Sequence, residues 1–151
     1  MVDDGRIEDI VQTEMAKIAV LKANLLTTIS TFNELSPGVL RTIRGDLRRW
    51  HEELPPVMSL NRLLEFGLRP QERATIHFVH LLYLGSLMLL QRCIMTQWHS
   101  KGQREITDQT RPCIDAVEAI KEGFLAAKQS ARVLGLLMAE SGAVKLCWLC
   151  M

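Results

Sequence analysis

From Ala74 to Gln91 the chain carries no Asp, Glu, Lys or Arg, and the segments on either side alternate in ways that suit covering it. A helix that is apolar all round has to be buried on nearly all sides. The run therefore predicts a central helix over Glu72–Trp98, with the remaining helices as its wrapping. Gly85 and Ser86 at its centre would let a neighbouring helix approach closely. Upstream, Ile7, Ile10, Val11, Ile18, Leu21, Leu25 and Ile29 recur at spacings of three, four and seven, which predicts a helix over Arg6–Ser30. Glu8, Gln12, Lys22 and Asn24 fall between them, and Asp3 and Asp4 suit the positive end of the helix dipole.

A second amphipathic helix begins at Ser36-Pro37, with Ser36 as N-cap and Pro37 in the first helical position. Leu40, Ile43, Leu47, Trp50 and Leu54 give it one narrow apolar face. Gly45 weakens its middle by up to ~1 kcal/mol relative to alanine. Pro55-Pro56 ends it, because proline lacks the donor and restricts the residue before it. Residues 57–70 read as a connection with a short helix at Leu60–Phe66, stopped by Gly67.

After the central helix, Ser100-Lys101-Gly102 is a polar linker. Thr107 or Asp108 would cap the next helix, and Pro112 argues for a start nearer Arg111. Ile114, Val117, Ile120, Phe124 and Ala127 would be its buried face. Lys128–Ser130 allows a break before a further helix over Ala131–Ala139. Ser141-Gly142 interrupts again, and Ala143–Met151 resumes an apolar run that stops at Cys147-Trp148-Leu149-Cys150-Met151 without a polar cap. The expectation is one all-α domain over residues 1–151, with five or six helices packed around 72–98. The bare end suggests a domain truncated at its C-terminus, whose further helices would cover this face.

Composition sharpens this picture only a little. The chain has 151 residues, 48% of them hydrophobic and 23% charged, enough for a real core. Aromatics are only 5%, so aliphatic helix formers dominate over sheet formers. The formal net charge of +1 gives no global pull toward nucleic acid or an anionic membrane. Four cysteines and an acidic N-terminus without a signal-peptide pattern point to a reducing, intracellular setting. The central run has nearly the length of a membrane span. Its two histidines and serine, bounded by Glu72-Arg73 and Arg92, favour a buried soluble helix instead.

Candidate chemistry is sparse. Cys147 and Cys150 form a Cys-x-x-Cys pair, but no strand precedes it as in a thioredoxin-type site. Cys93 and Cys113 supply no matching short pair for a zinc site, so buried or interface cysteine is the favoured reading. His77 and His80 share a helical face without the carboxylate or histidine partners a metal needs, and His51 and His99 lie elsewhere. Arg41, Arg44, Arg48 and Arg49 form one basic patch. Asp46, Glu52 and Glu53 dilute it, and no aromatics interleave with it. A solvated flank, or packing against an acidic neighbour, is favoured over nucleic-acid binding. No phosphate loop, nucleophile elbow or paired-carboxylate signature is present. The expectation is no enzyme, and no catalytic, cofactor-binding or metal-ligating residue is assigned.

One ordered set of motifs carries more. Leu47, Trp50, Leu54, Pro55 and Pro56 are followed by His80-Leu81-Leu82-Tyr83, the aliphatic Leu87-Met88-Leu89-Leu90, Arg92-Cys93 and then Cys113-Ile114-Asp115-Ala116-Val117. In order and spacing this resembles the regulatory "middle homology" region of fungal binuclear zinc-cluster transcription factors, over about Val39 to Phe124. Cys93 stands where that family usually has proline, and Val117 replaces its second alanine. The six-cysteine cluster that reads DNA in the family has no counterpart here. The resemblance implies an all-helical regulatory region that controls transcription, nuclear in its full-length form, with zinc only in a full-length member. It implies control through a small-molecule effector or through coactivator or corepressor partners, with DNA reached only through the missing cluster and no membrane; the Arg6–Ser30 stripe and the bare C-terminus leave room for a homodimer. A groove lined by His80 and Tyr83 between helices is one further expectation. The other is that both side chains simply satisfy core partners. Two alternatives stand beside the regulatory reading: a helical scaffold docking a partner through its apolar C-terminus, and a small membrane-associated protein using Ala74–Gln91.

Overall fold

The computed structural model describes residues 4–31, 36–65, 67–102 and 114–139. Within them the chain is all-helical, with no strand. Four α-helices are present: α1 (Asp4–Thr31), α2 (Pro37–Glu52), α3 (Pro70–Gly102) and α4 (Ile114–Ala139). Two short 3-10 turns, η1 (Pro56–Met58) and η2 (Leu60–Leu64), join α2 to α3. The all-α expectation holds; the count of five or six helices does not, since four α-helices account for the described residues.

The local signals for α2 work as read. Ser36 is extended and its Oγ accepts from the Val39 N–H at 3.3 Å, with Pro37 in the first turn. The helix stops two residues before Pro55, where the Glu53 N–H closes the last turn on the Arg49 carbonyl at 2.9 Å. In the connection, the expected helix at Leu60–Phe66 is the 3-10 turn Leu60–Leu64, opened by the Ser59 hydroxyl accepting from Asn61 N–H. Gly67 follows with φ +94°, a conformation that favours glycine. The central helix starts earlier than Glu72. Pro70 takes its first position and the Glu72 carboxylate reaches back to accept the Arg69 N–H at 3.0 Å, half of a capping box.

α3 is the element on which the others converge: α1, α2, α4, η1 and η2 all contact it. No residue from Glu72 to Gln91 is exposed. Full burial on nearly all sides does not follow, however. Only a third of its most apolar window is buried, and the rest is half-covered. By length and composition alone α3 could cross a membrane, with a mean hydropathy of 1.5. Core helices pass the same test.

The core has two linked parts. Leu25, Leu40, Leu90, Ile94, Ala116 and Ala119 make one. Ile18, Leu47, Trp50, Met58 and Val79 make the other, and Ile43 of α2 packs against both. The α1 stripe is confirmed in Ile18 and Leu25, which are buried, and in Ile10, Val11, Leu21 and Ile29, which are partly so. The side chain of Ile7 lies outside the described ones.

α4 departs most from its sequence pattern. It is one continuous helix from Ile114 to Ala139, with no break at Lys128–Ser130. Lys128 and Gln129 are good helix formers on the solvent side, and Ser130 faces the core. It is described from Ile114 onward; the expected start near Arg111, with Thr107, Asp108, Pro112 and the run Ala143–Met151, lies outside the described residues. The fully buried face is Ala116, Ala119, Gly123, Ala126 and Ser130; of the expected face, Ile120 packs half-buried against the core and Val117 is half-buried. Ile114 is 78% exposed and Phe124 61%, and Ala127 is exposed too. Small residues at alternating spacings of three and four let the helix axes draw together. At Gly123 an added Cβ would overlap the Cβ of Gln91 on α3. That is where the close approach occurs. At Gly85 a Cβ would meet nothing within 4 Å. Ser86 is fully buried, with its hydroxyl donating to the Leu82 carbonyl of its own helix at 2.9 Å.

Candidate functional site

Part of the ordered set of motifs converges in space at the end of α2. The Trp50 and Tyr83 rings lie 6.2 Å apart and tilted. His51 stacks on Tyr83 at 4.2 Å, nearly parallel, and meets His80 edge-on at 5.4 Å. His80 is buried, and its Nε2–H donates to the Met58 carbonyl of η1 at 3.0 Å, which fixes the tautomer. One helix turn brings His80 and Tyr83 onto the same side of α3. The two prolines turn the chain so that Met58 returns to that side. Burial lowers the pKa of both imidazoles, outweighing Glu52 near His51 and the Met58 hydrogen bond at His80. Burial likewise raises the Tyr83 hydroxyl. The cluster is therefore neutral near pH 7, closed and partly covered. His80 has the Met58 carbonyl as its core partner, and Tyr83 is held by ring contacts with Trp50 and His51.

His77 is also buried on α3, while His99 is exposed and donates Nδ1–H to the Met95 carbonyl at 2.8 Å. Among the described residues no group of three or more His, Cys, Asp and Glu is placed to hold a metal ion. Cys93 is half-buried on α3, and burial raises its thiol pKa, away from a reactive thiolate. Cys113, Cys147 and Cys150 lie outside the described residues.

The arginine patch is bound to an acidic neighbour. Arg41 pairs with Asp115 at 2.8 Å, Arg44 with Glu118 at 3.1 Å and Glu122 at 2.8 Å, and Arg48 with Glu122 at 3.0 Å. Arg44 is 8% exposed, and one Nη also reaches the Asp115 backbone carbonyl at 3.4 Å. The Glu122 hydrogen bond raises the Arg44 pKa beyond its ordinary value against the pull of burial. Burial pushes the Glu122 carboxyl up, but the Arg44 hydrogen bond and the Arg44 and Arg48 charges together bring it below the usual carboxylate range. Arg49, further round the helix, pairs loosely with Asp46 at 3.6 Å. These arginines join α2 to α4. Their charge is largely answered within the chain, which leaves little for a nucleic-acid backbone.

One buried charge escaped the sequence reading. Glu14 of α1 is 6% exposed, accepts the Trp50 indole N–H at 3.0 Å and bonds Lys17 Nζ at 2.7 Å. Its signal was present: Glu14 sits on the same helical face as Ile10, Ile18 and Leu21, where a carboxylate needs a donor. Two shallow grooves, about 570 and 730 Å³, run between α1 and α2 and share Leu21 and Asp46. His80 and Tyr83 line neither of these two grooves; they lie in the ring cluster.

Comparison with family models, curated proteins and solved structures returns no match.

Proposed function

We propose that this chain is a helical regulatory region of the fungal zinc-cluster transcription-factor type, working in the nucleus on an activation function rather than on DNA itself. The observation that carries the reading is the meeting of its two most family-like pieces. Trp50 and His51, at the end of the Leu-Pro-Pro helix, pack on His80 and Tyr83 of the His-x-x-Tyr helix. In this reading the cluster sets the angle between α2 and α3. The arginine–carboxylate contacts hold α4 against α2. DNA contact belongs to a zinc-cluster module elsewhere in a longer protein, and the chain itself performs no catalysis. Its partners are coactivators, corepressors or a second copy.

The test is a reporter assay in a fungal host. The chain is placed between a heterologous DNA-binding domain and an activation domain. The expected result is a severalfold change in reporter output relative to the same fusion without the chain. Unchanged output from a fusion that is expressed and nuclear would overturn the reading.

A second reading, a helical docking scaffold, is favoured by one observation. Phe124, Leu125, Leu136 and Met138 of α4 are all more than half exposed. A scaffold would lose a binding partner on substitution of Phe124 by glutamate and show no effect on the reporter.

A further inference from the structure

The turn after α2 is held to α3 at a site built from two histidines; beside it, Arg62 donates to the Val57 carbonyl at 3.1 Å and pairs with Glu72 of α3 at 3.8 Å, and Arg73 of α3 donates to the Leu63 carbonyl at 2.9 Å further along the connection. Met58 is buried against Val79 in the second part of the core, and its carbonyl accepts from His80. His51, from the last turn of α2, lies between Tyr83 and His80, face-on to one ring and edge-on to the other. We propose that His51 and His80 form a proton-operated latch, closed when both are neutral, which releases the Pro56–Met58 turn and the end of α2 from α3 as the medium becomes weakly acidic.

The physical argument is geometric. Two imidazoles with centroids 5.4 Å apart cannot both carry a proton without repulsion. Both are removed from much of the water that would solvate the charge. The charged and titratable groups around them do not supply the missing stabilisation. On α2, Glu52 favours a charged His51 and Arg48 lies nearby; on α3, His77 opposes a charged His80. On α4, the nearest carboxylate is Glu122, already committed to Arg44 and Arg48. On α1, Glu14 is committed to Trp50 and Lys17. η1 offers only the Met58 carbonyl. The face of Tyr83 attracts an imidazolium; at His51 burial is larger than the opposing Glu52 charge. Opening the contact hydrates both rings, so protons favour the open form. The inference depends on this packing and not on the transcriptional reading.

The experiment is urea unfolding of the whole chain at about pH 7.5 and about pH 5.5, which bracket the ordinary histidine range. Amide-exchange protection of Met58 and Ser59 is followed alongside. The expected result is a lower urea midpoint at the acidic pH, with those two amides losing protection before the amides of α3. His51→Phe keeps a ring on Tyr83 and removes one proton site. His80→Gln keeps an N–H for Met58 and removes the other. Each should take away a substantial part of the acid-dependent drop, and the double variant most of it. A wild-type midpoint that does not move, or a drop of the same size in the double variant, would overturn the proposal. Failure here leaves the reporter result untouched, so the two readings fail separately.

Discussion

The indole N–H of Trp50 donates to Oε2 of Glu14 at 3.0 Å, so a buried carboxylate on α1 is held by the ring that anchors the end of α2. Hydrogen bonds to charged groups contribute about 1.5–3 kcal/mol, and a buried charge that loses a partner costs at least as much. Trp50→Phe should lower the stability of the chain by roughly that amount in urea unfolding. Pairing it with Glu14→Leu should recover part of the loss, because no carboxylate is then left short of a donor. If the double variant is less stable by the sum of the two single losses, the bond contributes nothing of its own.

Arg44 carries the contact between α2 and α4. Arg44→Ala would leave Asp115, Glu118 and Glu122 crowded without their common cation. A cost of about 2–4 kcal/mol is expected, at the lower end because Glu118 is half-exposed. Arg44→Lys keeps the charge but cannot serve the carboxylates and the Asp115 carbonyl together, so it should recover only part. Arg41→Ala, at an exposed pair, should change stability by less than about 1 kcal/mol. Chemical denaturation of the three variants in low and high salt separates these terms.

Two helical glycines give opposite predictions. Gly45 has open space where a Cβ would stand, so Gly45→Ala should stabilise α2 by up to ~1 kcal/mol. At Gly123 the added Cβ would overlap Gln91 close to its backbone. Gly123→Ala should therefore destabilise by about 1–3 kcal/mol as α3 and α4 are pushed apart. Thermal unfolding midpoints should move in opposite directions.

Acid should weaken the chain again below the histidine range. The Glu72 carboxyl is held below its ordinary value, chiefly by the Arg69 N–H. Glu122 is held low by Arg44 and Arg48 against burial. A depressed carboxylate takes up its proton more readily in the unfolded chain. Its contribution is complete above the ordinary value of 4.5 and is lost as pH falls through the lower folded value. A second decline in stability beginning near that pH is expected, smaller in Glu72→Gln and Glu122→Gln. Stability profiles against pH check it.

The sequence was most informative where one residue sets local geometry. Ser36, Pro37 and Pro55 bounded α2, and Gly67 marked the turn before α3, because caps and prolines act on their own backbone. It was least informative for α4. Ile114 and Phe124 made the more hydrophobic stripe, yet the helix turned Ala116, Ala119 and Gly123 inward. That choice depends on the shape of α3 opposite, which no local pattern contains. The same holds at the histidine cluster. His80 and Tyr83 could be placed on one face of a helix, but His51 and the Met58 carbonyl reach them only through the fold of the connection. Glu14 was readable in principle as a charge inside an apolar stripe. Its partner Trp50 was not, because the pairing crosses two helices.

Arg41 meets Asp115, Arg44 meets Glu118 and Arg48 meets Glu122, always at a separation of 74 residues. A constant offset means that α2 and α4 run in the same direction, as two toothed racks of opposite charge. Such racks do not fix their own position. Slid by one helical turn, Arg41 would face Glu118 and Arg44 would face Glu122, and Arg44 already reaches across to Asp115 and Glu122 from its central tooth. The charges therefore choose the direction and neighbour of α4, while the notch at Gly123 against Gln91 on the other side of the helix chooses its position along the axis. Filling that notch would still let Arg41 and Arg44 find carboxylates one turn away, at Glu118 and Glu122, while Arg48 would come opposite Leu125 and Ala126 and lose its pair.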